Sequence, residues 1–89
     1  MVEEKIGIVE HFFTNISVVA IKITEGELKI GDTIHIVGAT TDLTHHIDRM
    51  EINRNPVQIA KKGDAIGIKV AGKARNNDIV YKIPKEDTA

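Results

Sequence analysis

Residues 26–38 read GELKIGDTIHIVG: Gly26 and Gly31 stand five apart, Asp32 follows, and Ile34 and Ile36 occupy alternate positions after it. Alternation with a period of two marks a strand with one buried face. A turn that delivers the chain into such a strand often needs one residue at positive φ, which glycine adopts without a Cβ clash. The aspartate that follows can bond nearby backbone and fix the turn. The same entry recurs at Gly63-Asp64 in AKKGDAIGIKV (residues 60–70) and, with Asn for Gly, at Asn77-Asp78 in NDIVYKI (residues 77–83). Asparagine tolerates the left-handed region. Gly31, Asp32, Gly63, Asp64, Asn77 and Asp78 are therefore read as structural turn residues.

Working outward, the pattern predicts strands over Lys5–Phe13 and Ile16–Thr24, joined by a tight hairpin at Thr14-Asn15. Val19, Ile21 and Ile23 share the inner face of the second. Glu25–Gly31 is a turn with Leu28 and Ile30 tucked inward, and Asp32–Val37 is the next strand. After a loop at Gly38–Asp42, a strand over Leu43–Asn53 needs a bulge near Asp48-Arg49, because Ile47, Met50 and Ile52 break alternation. Asn55-Pro56 marks a break, followed by a short element at Val57–Ala60. Asp64–Val70 points Ile66, Ile68 and Val70 inward and Gly67 and Lys69 outward. Asp78–Ile83 closes the series with Ile79, Tyr81 and Ile83 on one face. No window makes an amphipathic helix. The expected fold is all-β, a small antiparallel barrel, since six or seven short strands would otherwise leave open edges. Residues 5–83 form the single domain, between tails at 1–4 and 84–89.

Eighty-nine residues suffice for one modest core. The chain has no cysteine, which excludes disulfides, thiolate metal sites and cysteine nucleophiles. MVEEKIGIVE has no apolar h-region, so no signal peptide is expected. The longest apolar run, Val18–Ile21, is far too short to span a membrane. A cytoplasmic chain without membrane contact is the expectation.

The order of these motifs carries a resemblance. Gly7-Ile8-Val9, then VVAIKITEGELKIGDTIHIVG, then Asp48-Arg49-Met50, then Ala60-x-x-Gly63-Asp64-x-Ile66-Gly67-Ile68, then Asn77-Asp78-x-Val80-Tyr81 resembles the second domain of translational GTPases of the elongation factor Tu type. The resemblance covers about residues 5 to 83 and implies a stand-alone, elongation factor-like barrel acting in translation. Similar barrels also occur in the C-terminal region of some U32 peptidases. In elongation factor Tu the strand matching Ile47–Ile52 helps hold the aminoacylated end of tRNA through Val-Glu-Met. Here Arg49 precedes Met50, reversing the sign at that place.

Catalysis finds little footing, and no catalytic residue, metal ligand set or cofactor is assigned. A phosphate loop needs a Ser or Thr hydroxyl after Gly-Lys, and Gly72-Lys73 is followed by Ala74. Asp64–Gly67 has the D-x-x-G form without a phosphate loop beside it, and no Asn-Lys-x-Asp guanine reader is present. No GTP binding by this chain alone is expected. Ser17 is the only serine. His45 and His46 are adjacent, so on a strand they face opposite ways, although one of them could meet His35 across a strand pair.

Charge is unevenly spread along a chain of net charge −1. Arg49, Arg54, Lys61, Lys62, Lys69, Lys73 and Arg75 stand against only Glu51 and Asp64 in residues 49–75. Gathered on one side, these seven could contact phosphates. Phe12, Phe13 and Tyr81 are too few to make a stacking platform. The leading expectation is a non-catalytic barrel that binds RNA or a ribonucleoprotein, with tRNA, rRNA or the ribosome as partner. The alternative is a protein-interaction module docking on an enzyme such as a U32-like peptidase.

Overall fold

The computed structural model describes residues 3–83. The expected C-terminal tail at 84–89 and Met1 and Val2 of the expected N-terminal tail lie outside them. Ten strands follow one another: β1 (Glu4–Phe13), β2 (Val18–Ile23), β3 (Glu27–Lys29), β4 (Thr33–Val37), β5 (Asp42–His46), β6 (Met50–Ile52), β7 (Asn55–Val57), β8 (Ile59–Lys61), β9 (Ala65–Lys69) and β10 (Ile79–Ile83). Eight of them make one antiparallel sheet in the order β5-β4-β10-β1-β2-β9-β6-β7, and β3 pairs with β8 in a short ribbon. The fold is the all-β barrel type, and no helix occurs among the described residues.

The core is aliphatic. Val19, Ile21 and Ile23 of β2, Ile34 and Ile36 of β4, Ile66 and Ile68 of β9 and Val80 of β10 are all buried. The ribbon adds Leu28 and Ala60, which face each other across it, to the same cluster. Backbone bonds tie the ribbon's flanks to the sheet: Gly31 N–H donates to Ile47 C=O, Ile47 N–H to Asp32 C=O, and Gly63 N–H to Ile23 C=O.

β1 bends to serve both neighbours. Its register slips between Lys5 and Gly7 against β10 and between Val9 and His11 against β2. Such irregularities add local twist and curvature, which a closing sheet needs. They also break the alternation, so Ile6 and Val9, three positions apart, both reach the core.

The three repeated turns share one construction. In each, the first residue accepts a backbone bond from the aspartate three positions on, and that carboxylate accepts the first residue's N–H. The pairs are Lys29 with Asp32 (3.1 and 2.8 Å), Lys61 with Asp64 (2.9 and 2.8 Å) and Arg75 with Asp78 (3.1 and 2.8 Å). The third residue of each has positive φ: Gly31 at 96°, Gly63 at 97°, Asn77 at 73°. An i to i+3 bond with positive φ at the third position is the signature of a type II turn. A Cβ on Gly31 would meet nothing within 4 Å, so any cost of adding one is conformational and not steric. Gly31→Ala should lose about 1 kcal/mol or more of stability, measured by urea unfolding. A midpoint equal to wild type would contradict the strain at this turn.

Several local expectations need correction. The first hairpin loop spans four residues, since Phe13 pairs with Val18, and Ser17 takes positive φ to close it. The stretch expected as one bulged strand over Leu43–Asn53 is two strands: β5 pairs with β4, whereas β6 pairs with β7 and β9. The segment 47–49 carries the chain across, with Ile47 buried as the anchor. Ile30, expected inward, is 38% exposed, because the turn at Gly31 swings it outward while Leu28 enters the core. Asn55-Pro56 is no break. It lies in edge strand β7, after a two-residue turn in which Asn53 and Arg54 both hold positive φ. Lastly, β1 already begins at Glu4, within the segment expected as a tail.

Candidate docking groove and ion pairs

The outer faces of β2, β9 and β6 form a shallow depression. Ala20, Gly67 and Glu51 lie in one row across the three strands, because Gly67 pairs with both of the others. Ala20 and Gly67 leave the strands thinly covered, and two adjoining hollows of about 430 and 780 Å³ open above them. Both include Val18, Glu51 and Gly67. The first extends to His45, Asp48, Arg49 and Lys69, and the second to Phe13, Ile16 and Arg54. Phe13 and Ile16 are 45% and 59% exposed. The His11 ring meets Phe13 edge-on at 4.5 Å between centroids, a favourable arrangement for two rings.

Charge around the groove is partly spent. Arg49 holds Glu51 through Nη2 at 3.0 Å and Nε at 3.1 Å. Arg54 and Lys69 make no salt bridge among the described residues. Partial burial pushes the pKa of His45 below its ordinary value, with Asp48 opposing and His46 adding to that shift.

The seven basic residues do not form one cluster along the chain's path. Lys61 and Lys62 precede β9, whereas Lys73 and Arg75 follow it. A five-residue strand of about 17 Å separates the two groups. Lys69 ends β9, Arg54 tops the β6–β7 turn, and Arg49 is paired. Gly67 and Gly72-Lys73 have the spacing of a phosphate loop, yet Gly67 lies inside β9 and no helix follows. Among the described residues no group of three His, Asp or Glu side chains could hold a metal ion.

His35 on β4 has acidic neighbours and no histidine opposite. Its cross-strand partners are Thr44 and Tyr81, while His45 and His46 face Ile34 and Thr33. Its Nε2 meets Asp42 and its Nδ1 meets Glu3 at 2.8 Å. The Asp42 bond first, and the Glu3 bond second, hold its pKa above the ordinary value. A histidine whose folded pKa is raised stabilises fully below the unfolded value and loses that contribution as pH rises through the folded one. His45, shifted the other way, contributes above the unfolded value and loses its contribution as pH falls. The effect of His35 is therefore isolated by difference. The melting-temperature gap between wild type and His35→Gln should be wide at pH 5.5 and narrow by pH 8.5. A gap constant across that range would mean that the two carboxylates do not stabilise charged His35.

Comparison with known proteins supplies the context. The family model described as elongation factor Tu domain 2 matches residues 17–81. The chain is 42% identical over 78 residues to an uncharacterized protease of Methanocaldococcus jannaschii, covering 86% of this chain and 19% of that protein. It is 34% identical over 77 residues to a collagenase of Porphyromonas gingivalis, covering 85% of this chain and 21% of the collagenase. The chain thus spans about a fifth of the length of the curated relatives it matches. Two crystal structures of the C-terminal domain of a Geobacillus thermoleovorans protein assigned to the U32 peptidases share the fold. The selenomethionine form has a TM-score of 0.82 at 15% identity, covering 88% of this chain and 98% of that one. The other scores 0.83 at 15% identity, covering 91% and 93%.

These relatives overturn the expected role in translation and RNA binding. The sequence relatives are named proteases and collagenases, and the two similar crystal structures are of a U32 peptidase C-terminal domain. The barrel was read correctly and its context was not, because one fold serves unrelated functions. With the match running from the first hairpin to β10, the chain belongs to the elongation factor Tu domain 2 family of β-barrels.

Proposed function

We propose that this barrel is the accessory domain of a U32-type peptidase: a non-catalytic module that docks on the catalytic portion and helps present peptide substrates to it. The observation that carries the reading is the 42% identity, over 78 residues, to a named protease of which the matched region is only 19%. A fifth of a protease supplies a module more readily than a complete active site. The fold likeness to a U32 peptidase C-terminal domain supports the same assignment. Among the described residues no helix is long and apolar enough to cross a membrane. The lack of cysteine fits assembly in a reducing, cytoplasmic setting.

The test is co-purification. The tagged chain, recovered from native lysate of its source, should bring down one U32 peptidase in near-equal amount, identified by mass spectrometry. Alone it should leave gelatin uncut, the substrate suggested by the collagenase relatives, and added to the peptidase it should change the cleavage rate. Recovery of ribosomal material without a peptidase would overturn the reading, as would gelatin cleavage by the chain alone.

A further inference from the structure

Six of the seven glycines have a reason inside the fold. Gly26, Gly31 and Gly63 hold positive φ. A Cβ on Gly7 would strike the Lys22 carbonyl, one on Gly38 would strike the Asp78 carboxylate, and one on Gly72 would lie 2.9 Å from Leu43 Cδ1. Gly67 has neither reason. Its φ is not positive, and a Cβ there would meet only Val18 Cγ1, at an ordinary 3.5 Å. Glycine weakens a strand interior, and with no internal need it marks a place where something outside comes close to the backbone. Gly67 lies on the floor of both hollows. Ala20 beside it and Ala65 two residues before it keep that floor low.

We propose that the groove over Gly67 is the face that receives the catalytic portion of the peptidase, through an apolar side chain seated on Gly67 and bordered by carboxylates. This rests on the accessory-domain reading and names its contact surface. Three observations choose this occupant. Phe13 and Ile16, which border the second hollow, are the most exposed large apolar side chains of the described residues. Such a wall beside a bare strand floor suits a packed protein interface. The rim is net positive, with Arg49, Arg54 and Lys69 against Glu51 and Asp48; Arg49 occupies Glu51, and among the described residues Arg54 and Lys69 stand without a salt bridge, so the complementary partner is acidic around its apolar anchor. The relatives continue for about four-fifths of their length beyond the matched region, which supplies a large polypeptide for the barrel to pack against.

The experiment titrates the isotopically labelled 89-residue chain with the purified U32 peptidase recovered in the co-purification. Amide signals of residues 13–20, 51–54 and 65–69 should shift or broaden before any others. Gly67→Leu should weaken binding at least tenfold without lowering the melting temperature. Arg54→Glu combined with Lys69→Glu should weaken it comparably, as should 0.5 M salt, and this pair keeps the test open should Gly67→Leu fold poorly. Binding within twofold of wild type in both variants, or signals perturbed on another face, would overturn the groove while leaving the accessory-domain reading standing. No complex with wild type would remove that reading itself. Self-association mapped to the same amides would assign the groove to a second copy and overturn the occupant named here.

Discussion

Leu28→Ala should lower the stability of this protein by about 3 kcal/mol, the usual cost of a large-to-small change at a fully buried site. Leu28 has no exposed surface and sits on the three-residue strand β3, opposite Ala60. The ribbon has few other apolar side chains to hold it against the sheet, because Ile30 and Ile59 at its margin are each 38% exposed. Alanine would leave a cavity that the small neighbouring Ala60 does not fill. For a domain of this size the loss corresponds to a fall in melting temperature of roughly 12–24 °C. Thermal unfolding followed by circular dichroism measures it. A fall of only a few degrees would mean that the ribbon is not part of the cooperative core.

Gly7→Ala should cost about 2–3 kcal/mol for a different reason. The added Cβ would lie near the Lys22 carbonyl oxygen and 3.1 Å from Ile21 Cγ2. That carbonyl is backbone of the neighbouring strand, where Gly7 pairs with Ile23, so it cannot step aside without breaking the β1–β2 ladder. Gly67→Ala offers the contrast: its Cβ meets only Val18 Cγ1, at an ordinary contact distance of 3.5 Å, and the substitution should be neutral or stabilising by about 0.5 kcal/mol. Urea unfolding of the two variants side by side checks both. Equal losses would show that strand glycines are penalised in this barrel regardless of surroundings.

How much of this was legible in the sequence depended on strand length. β2, β4 and β9 have five or six residues with strict alternation, enough repeats for a period of two to stand out. The three-residue strands β3, β6, β7 and β8 hold too few positions to show any period. The division of Leu43–Asn53 into strands at different places in the sheet was hidden for a related reason. Ile47 and Met50 are both buried, and their spacing reads as a bulge until the tertiary pairing is known. The groove was harder still. Its signal is missing bulk at Ala20, Ala65 and Gly67, and small residues register weakly in any hydrophobic pattern. The charge surplus of residues 49–75 was plain in the chain, but β9 sets Lys61 and Lys62 apart from Lys73 and Arg75. A linear tally cannot see that separation.

Pro56 has a consequence for how this barrel lives among other proteins. β7 is the last strand of the sheet, and its partner across the two-residue turn is β6. Ile52 and Asn55 flank that turn and form the hydrogen-bonded pair, which makes Glu51 opposite Pro56 a non-bonded pair. At a non-bonded position the N–H points away from the partner, toward the free edge, and proline has none to offer. The open margin therefore lacks a donor at its centre, where an intruding strand would seek one. At this margin the barrel can meet new neighbours without recruiting stray strands. That portability is what a module needs if the same architecture is to serve GTPases in one setting and peptidases in another.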